Sequence, residues 1–365
     1  MKRIFTLICV FSLCLYCSAE TLFSPTWGFS LDLPAGLEFI EGDGKNSFTF
    51  QSQNGLALSL KVYPQASSAL TVAKDTQSRL RSTGQTRAFT YDGKPAALLE
   101  LRFQSFSGWG LVLALDTKAH LLALAYGPTR YTNLQNMYMA ALNAIAPTNR
   151  SRLLPGPMIE YLYPRTERKQ VQLFGTENSA LIFTNDAQAA QALIDLEYAV
   201  LTEYQSSPLW VEAWTRFYRM IHRDSFDRLA HIAFILEREW RGHELDFAEQ
   251  ALKWVQSFAY ERDLSLAESD FVNLVSAATE GRGDCDSRSL LWAILLRQAN
   301  IPAGIMISAE FSHACGLADI EAASGARFPL NGTQWLVAET TTDVAIGRIA
   351  SSMSNINAWI GIVFD

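Results

Sequence analysis

The stretch from Glu280 to Asn300, EGRGDCDSRSLLWAILLRQAN, constrains the fold of this chain more than any other. Gly281 and Gly283 bracket Arg282 and predict a tight turn, because glycine adopts backbone angles that other residues avoid. Asp284 and Cys285 come next, and then about a dozen residues read as helix. Leu290, Leu291, Ile294 and Leu295 cover more than one face of that helix, so it is expected to be buried. Cys285 then sits at a helix N-terminus, where unpaired N–H groups and the helix dipole favour a thiolate. That is a common setting for a nucleophilic cysteine. From one cysteine alone, a small apolar core residue is the favoured reading.

The residues downstream of this helix favour chemistry. Ile305 to Ala309 reads as a strand, and Phe311-Ser312-His313-Ala314-Cys315 comes next. After an Ala- and Gly-rich connection, Trp335 to Thr341 reads as another strand carrying Glu339. A cysteine at a helix start is thus succeeded by a histidine and then a carboxylate. Acyl transfer needs these three types: a thiolate, an imidazole that moves protons, and an acid that holds the imidazole tautomer. A metal site from Cys285, His313 and Cys315 lacks a fourth ligand at sensible spacing, so no metal or cofactor is expected. Cys315 is expected to be a small apolar residue beside His313. A disulfide from it to Cys285 would block the nucleophile.

These segments resemble the transglutaminase-like cysteine protease superfamily. The resemblance lies in GRGDCDSRSLLWAILLRQANIPAGIMIS, then SHACGLAD, then WLVAETT, and covers roughly residues 245 to 350. Ala248 to Asp263 is similar to the helix that precedes the nucleophile in that group. The resemblance implies Cys285 as nucleophile, His313 as base and Glu339 as orienting acid. It also implies Gln256 as an amide that helps form the oxyanion hole. Two positions depart from the pattern. The acid is more often aspartate, and the histidine is followed by Ala-Cys where an aromatic is common. The fold implied is a papain-like or transglutaminase-like α+β domain, acting on a peptide or protein substrate. The alternative is an inactive relative that serves as a binding module or scaffold of the cell envelope.

The rest of the chain divides around this part. Lys2 and Arg3, the apolar run from Ile4 to Tyr16 and the small residues Cys17-Ser18-Ala19 read as a secretory signal over residues 1–19. The run is too short for a membrane span. Cleavage after Ala19 is favoured over lipidation at Cys17, because Tyr16 stands where a small residue is wanted. An extracytoplasmic location, periplasmic or secreted, is expected. Without the leader, 28 basic residues face 37 acidic ones, a net charge of −9, which argues against nucleic acid as a partner. Only Cys285 and Cys315 remain, which is no disulfide framework.

Residues 20–148 read as an α+β domain. WGFSLDLP alternates, with Phe29, Leu31 and Leu33 on one face. Strands are expected around turns at Asn54-Gly55 and Asp92-Gly93. Helices are expected over 69–80 and 133–145. The order and the opening WGFSLDLP-AGLEF resemble PsbP-like domains, which implies an antiparallel sheet with helices on one side. Residues 149–184 read as a linker and entry segment, and 185–365 as a helical segment plus the catalytic domain. Within it, Pro208 is expected to open one helix and Ser225 to cap another. His222, His231 and His243 lack ligand spacing and read as structural.

Overall fold

The computed structural model describes residues 21–65, 68–131, 134–240, 242–262 and 269–364. The expected leader and Cys17 lie outside them. The fold is α+β, with one sheet near each end of the chain.

The N-terminal sheet has seven antiparallel strands: β1 (Glu38–Gly42), β2 (Ser47–Gln51), β3 (Ala57–Tyr63), β4 (Thr86–Tyr91), β5 (Lys94–Arg102), β6 (Phe106–Ala114) and β7 (His120–Pro128), in the order β1-β2-β3-β7-β6-β5-β4. α1 (Ala69–Leu80) packs with Ala97, Leu99, Leu101 and Val112 on one face. α2 (Leu134–Asn143) packs with Leu98, Leu111, Leu113 and Leu121 on the other. The helices therefore flank the sheet instead of sharing one side. The physical cause is in β5: Ala96 to Leu99 are all buried, and alternation sends neighbours to opposite faces. A sheet covered on one side only shows an alternating pattern, which this run is not. Of WGFSLDLP, only Ser30–Leu31 is a strand, in a small sheet with Leu22–Phe23 and Ile145–Ala146.

Residues 149–184 carry α3 (Pro157–Leu162) and a hairpin of β8 (Arg168–Gln172) and β9 (Ser179–Phe183). Next come α4 (Asp186–Thr202) and α5 (Trp210–Glu239). The two helices expected on either side of Ser225 are one helix of 30 residues, with Ser225 buried inside it. No glycine or proline interrupts 210–239, and Phe217, Ile221, Leu229, Ile232 and Leu236 form one continuous apolar stripe. α5 also joins the two halves of the molecule. Arg216 Nε donates to the Asp32 carbonyl at 2.8 Å, and its guanidinium pairs with buried Glu197. Arg219 makes two bonds of 2.7 Å to the Asp32 carboxylate. Arg223 donates to the carbonyls of Asn143 and Ile145 at 3.1 and 2.9 Å.

α6 (Glu244–Gln256) ends well before Asp263 and leads into the two-residue strand β10 (Ala259–Tyr260). The His243 N–H donates to Asp246 at 2.9 Å, so Asp246, the third residue of α6, caps the start of the helix. α7 (Leu274–Glu280) ends at Gly281, whose φ of +66° is left-handed and whose Cβ, if present, would lie 2.2 Å from the Phe174 ring. Only glycine fits there. Arg282–Gly283 then forms strand β11, parallel to β10, where the sequence predicted a turn. α8 (Cys285–Gln298) is next, and Leu290 to Leu296 are fully buried on all its sides. It packs on a five-stranded sheet of β12 (Ala303–Ser308), β13 (His313–Ala318), β14 (Arg327–Leu330), β15 (Thr333–Ala338) and β16 (Ile360–Val363), ordered β14-β15-β13-β12-β16. Gly316 of β13 admits Trp292 of α8 so closely that a Cβ there would lie 2.4 Å from the indole.

Candidate active site

The start of α8 is fixed by its own sequence. Asp284 is the N-cap, and its carboxylate accepts from the Ser287 N–H at 2.8 Å. Cys285 is the first helical residue, as expected, and is 4% exposed. Its Sγ lies 3.8 Å from Asp286 Oδ2. The Ala314 N–H and the Tyr260 hydroxyl lie near the sulfur. Buried Arg288, one turn on, donates to the carbonyls of Gly283 and Phe258 at 3.0 and 2.7 Å. Ser289 Oγ meets Thr340 Oγ1 at 2.9 Å. These bonds tie the helix start to both flanking segments.

The thiolate expected from the helix N-terminus is not what this setting favours. Burial pushes the Cys285 thiol well up, and the Asp286 and then the Asp284 carboxylates push it further. The Ala314 N–H opposes them with less effect. Asp284 itself is raised to about 8, by burial and then by the neighbouring Asp286. Burial also raises Asp286, against the Tyr218 hydroxyl that donates to it at 2.6 Å. The resting group is a neutral S–H.

His313 opens β13, and its Nε2 lies 2.8 Å from Glu339 Oε2, just past the end of the adjacent β15. Glu339 Oε1 accepts from the Thr341 N–H at 2.8 Å and from its hydroxyl at 2.6 Å. Burial works to raise the Glu339 carboxyl, but His313 and the Thr341 donors outweigh it and hold it below its ordinary range. An ionised carboxylate only accepts, so Nε2 carries the proton and Nδ1 is the free nitrogen. The Trp359 ring stands edge-on to the imidazole with centroids 6.3 Å apart.

Of the three sequence-predicted residues, His313 and Glu339 are in direct contact, and Cys285 lies near the backbone of the residue after His313 without a hydrogen bond to the imidazole. Gln256 does not join them as an oxyanion donor. Its Nε2 donates to the Glu339 and Val344 carbonyls at 2.8 and 2.9 Å, which commits both amide protons to holding the Glu339 segment. Asp319, the other acid near this strand, lies six residues beyond His313, about 20 Å along an extended chain, and cannot replace Glu339. Cys285 and Cys315 are both free thiols. His222 stacks on Phe364 and His231 Nδ1 accepts from the Leu181 N–H, both structural uses. Tyr260, Tyr218 and Asp286 could not be picked out by sequence reasoning. Only the last left a signal, the acid on either side of the cysteine in Asp-Cys-Asp.

No protein-family profile and no curated protein sequence matches the chain. Among solved structures, cyanobacterial PsbP from Synechocystis sp. PCC 6803 aligns at 14% identity over 36% of this chain and 95% of that one, with a TM-score of 0.29. A provisionally assigned cysteine protease from Cytophaga hutchinsonii aligns at 12% identity over 90% of this chain and 73% of its own, with a TM-score of 0.24. A provisionally assigned protease from Parabacteroides distasonis ATCC 8503 aligns at 10% identity over 79% of this chain and 42% of its own, also at 0.24. At these scores the likenesses say nothing of chemistry, which rests on the residues themselves.

Proposed function

We propose that the chain catalyses thiol-dependent acyl transfer on an amide or isopeptide bond of a peptide or protein, by hydrolysis or by transfer to an amine. The observation that carries this reading is the 2.8 Å bond from His313 Nε2 to Glu339, beside a helix-start cysteine whose sulfur meets the Ala314 N–H. The S–H proton passes to Nδ1 as sulfur attacks the carbonyl carbon, and Glu339 stabilises the imidazolium that results. The same proton then goes to the leaving amine as the C–N bond breaks. Water or a second amine releases the acyl group. With Gln256 committed elsewhere and the Ser287 N–H taken by Asp284, the oxyanion donors are the N–H groups of Cys285 and Asp286 at the start of α8, which have no acceptor within the helix. The proposed setting is outside the cytoplasm. Its support is the leader-like start of the sequence. Among the described residues no helix is long and apolar enough to cross a membrane.

One observation favours the second reading, an inactive binding module: the thiol is buried and its pKa is raised. Mass spectrometry separates the two. An active chain incubated with a peptide library carries an acyl adduct on Cys285 and releases free amine. Cys285→Ala does neither. Absence of any adduct or amine release from the wild-type chain supports the binding module.

A further inference from the structure

Cys315 has no part in acyl transfer, yet it stands beside the two groups that reading depends on. Along β13, Ala314 and Ala318 join the core around α8, and Gly316 meets Trp292 of that helix. Cys315 and Leu317 point to the opposite face, packed with Trp335, Val337 and Trp359. Glu339 continues the Trp335–Val337 alternation on the neighbouring strand. A ring nitrogen of His313, Cys315 Sγ and a Glu339 oxygen consequently lie within 4.8 Å of one another. The nitrogen is 2.8 Å and the sulfur 3.8 Å from Oε2. Around a tetrahedral zinc ion, with bonds of about 2.0–2.3 Å, such donors lie about 3.3–3.7 Å apart. The two observed separations bracket that range, the nitrogen and the sulfur lie no more than 4.8 Å apart, and rotamer shifts of about 1 Å close the set.

We propose that His313, Cys315 and Glu339 form a binding site for a borderline-soft divalent cation of the zinc class, and that its occupation shuts off the acyl-transfer centre. The shut-off rests on the function proposed above, and the binding does not. One imidazole, one thiolate and one carboxylate suit such a cation, whereas calcium and magnesium require oxygen ligands in larger number. The two anions neutralise a dication, so the filled site is buried without net charge. His313 keeps part of its surface in solvent, and a water on that side completes four-coordination. The protons balance. The Cys315 thiol loses its proton to solvent, and the Nε2 proton leaves as Nε2 takes the metal, with one retained on Nδ1. Binding one ion releases one proton. A proton fixed on Nδ1 leaves no base for the Cys285 thiol.

The test uses the full chain, reduced and stripped with chelator, as wild type, Cys315→Ser and Cys285→Ser. Cobalt(II) is added first as a spectroscopic probe, then zinc(II) by equilibrium dialysis. Wild type and Cys285→Ser should bind one zinc ion and show thiolate-to-cobalt charge-transfer absorption. In Cys315→Ser that absorption should vanish and zinc affinity fall about 100-fold or more, beyond the 10–100-fold that loss of an outer partner costs. Saturating zinc should abolish turnover by wild type and spare Cys315→Ser. Absorption lost in Cys285→Ser and kept in Cys315→Ser would overturn the site, as would no binding by wild type. Full turnover with one ion bound would overturn the shut-off. A chain that binds the ion as described but turns over no substrate when stripped of metal refutes the acyl-transfer reading and leaves the metal site standing.

Discussion

Asp286→Asn tests the electrostatics of Cys285, the proposed nucleophile, directly. The carboxylate lies 3.8 Å from Cys285 Sγ and is buried, and its charge is the largest influence on the thiol after burial. Two unit charges at that separation interact by about 4 kcal/mol at an effective dielectric constant of 20. That is about three pKa units at 1.36 kcal/mol each. Asp286 is itself raised by burial and does not carry a full charge throughout. The Cys285 pKa should therefore fall by about one to three units. The sign is fixed: removing an anion stabilises the thiolate. Asparagine keeps an oxygen for the Tyr218 hydroxyl, so the helix start should hold. The assay is the rate of iodoacetamide alkylation against pH, on native protein, with the site read by mass spectrometry. Lower-pKa thiolates are weaker nucleophiles, with a Brønsted slope of about 0.4–0.5, so a two-unit fall should speed alkylation at pH 7 by about tenfold. An unchanged or higher midpoint, with near-ultraviolet circular dichroism intact, would refute the assignment of Asp286 as the group that holds the thiol neutral.

Glu339→Gln should retain the fold and lose activity on the scale of the 10⁴-fold seen for the equivalent change in serine proteases, because an amide can stabilise the wrong tautomer; turnover near wild type would remove Glu339 from the mechanism. Because the Glu339 carboxyl is lowered in the fold, its contribution to stability is full above its unfolded pKa and is lost as pH falls through the folded value. Urea midpoints should therefore drop on acidification more in wild type than in Glu339→Gln. Gly316→Ala places a Cβ 2.4 Å from the Trp292 ring and should cost about 1–3 kcal/mol in chemical denaturation. Arg216→Ala strands Glu197 in a fully buried site and should cost about 3–5 kcal/mol, read the same way; a loss under about 1 kcal/mol would show that the pair does not hold the two halves together.

Much of the site could be read from order and alternation. α8 was legible because an N-cap acid and cysteine precede apolar residues on every face, a pattern only a buried helix satisfies. His313 and Glu339 were legible because each sits at the end of a short apolar strand, and those strands are neighbours in the sheet. The N-terminal strands were legible from turn chemistry at Asn54-Gly55 and Asp92-Gly93. The continuity of α5 was not. Ser225 looks like a cap in isolation, and only the stripe running past it, which needs Phe217 and Leu236 to share a partner, makes it a helix interior. The placement of α1 and α2 on opposite faces stems from the unbroken Ala96–Leu99 run, a signal present in the sequence but outweighed by the overall order of elements.

The charge state of Cys285 was not legible, for a reason of magnitude. A helix N-terminus offers a thiolate typically about 0.3–1 kcal/mol, and about 2 kcal/mol in favourable buried geometry. A carboxylate at 3.8 Å in a protein interior opposes it by up to about 4 kcal/mol when fully charged. Burial adds to the opposition and is the largest influence of all. The acids were visible in Asp-Cys-Asp, but flanking residues on a helix usually point into water, where a charge at the same distance is worth about 1 kcal/mol. What turns the sign is that Asp286 is held inward by the Tyr218 hydroxyl, 68 residues away in the chain. Cys285 therefore rests as a thiol, and in the proposed mechanism its proton must move as sulfur attacks. That mechanism places the burden of activation on the free Nδ1 of His313 and hence on the Glu339 bond that keeps Nδ1 free.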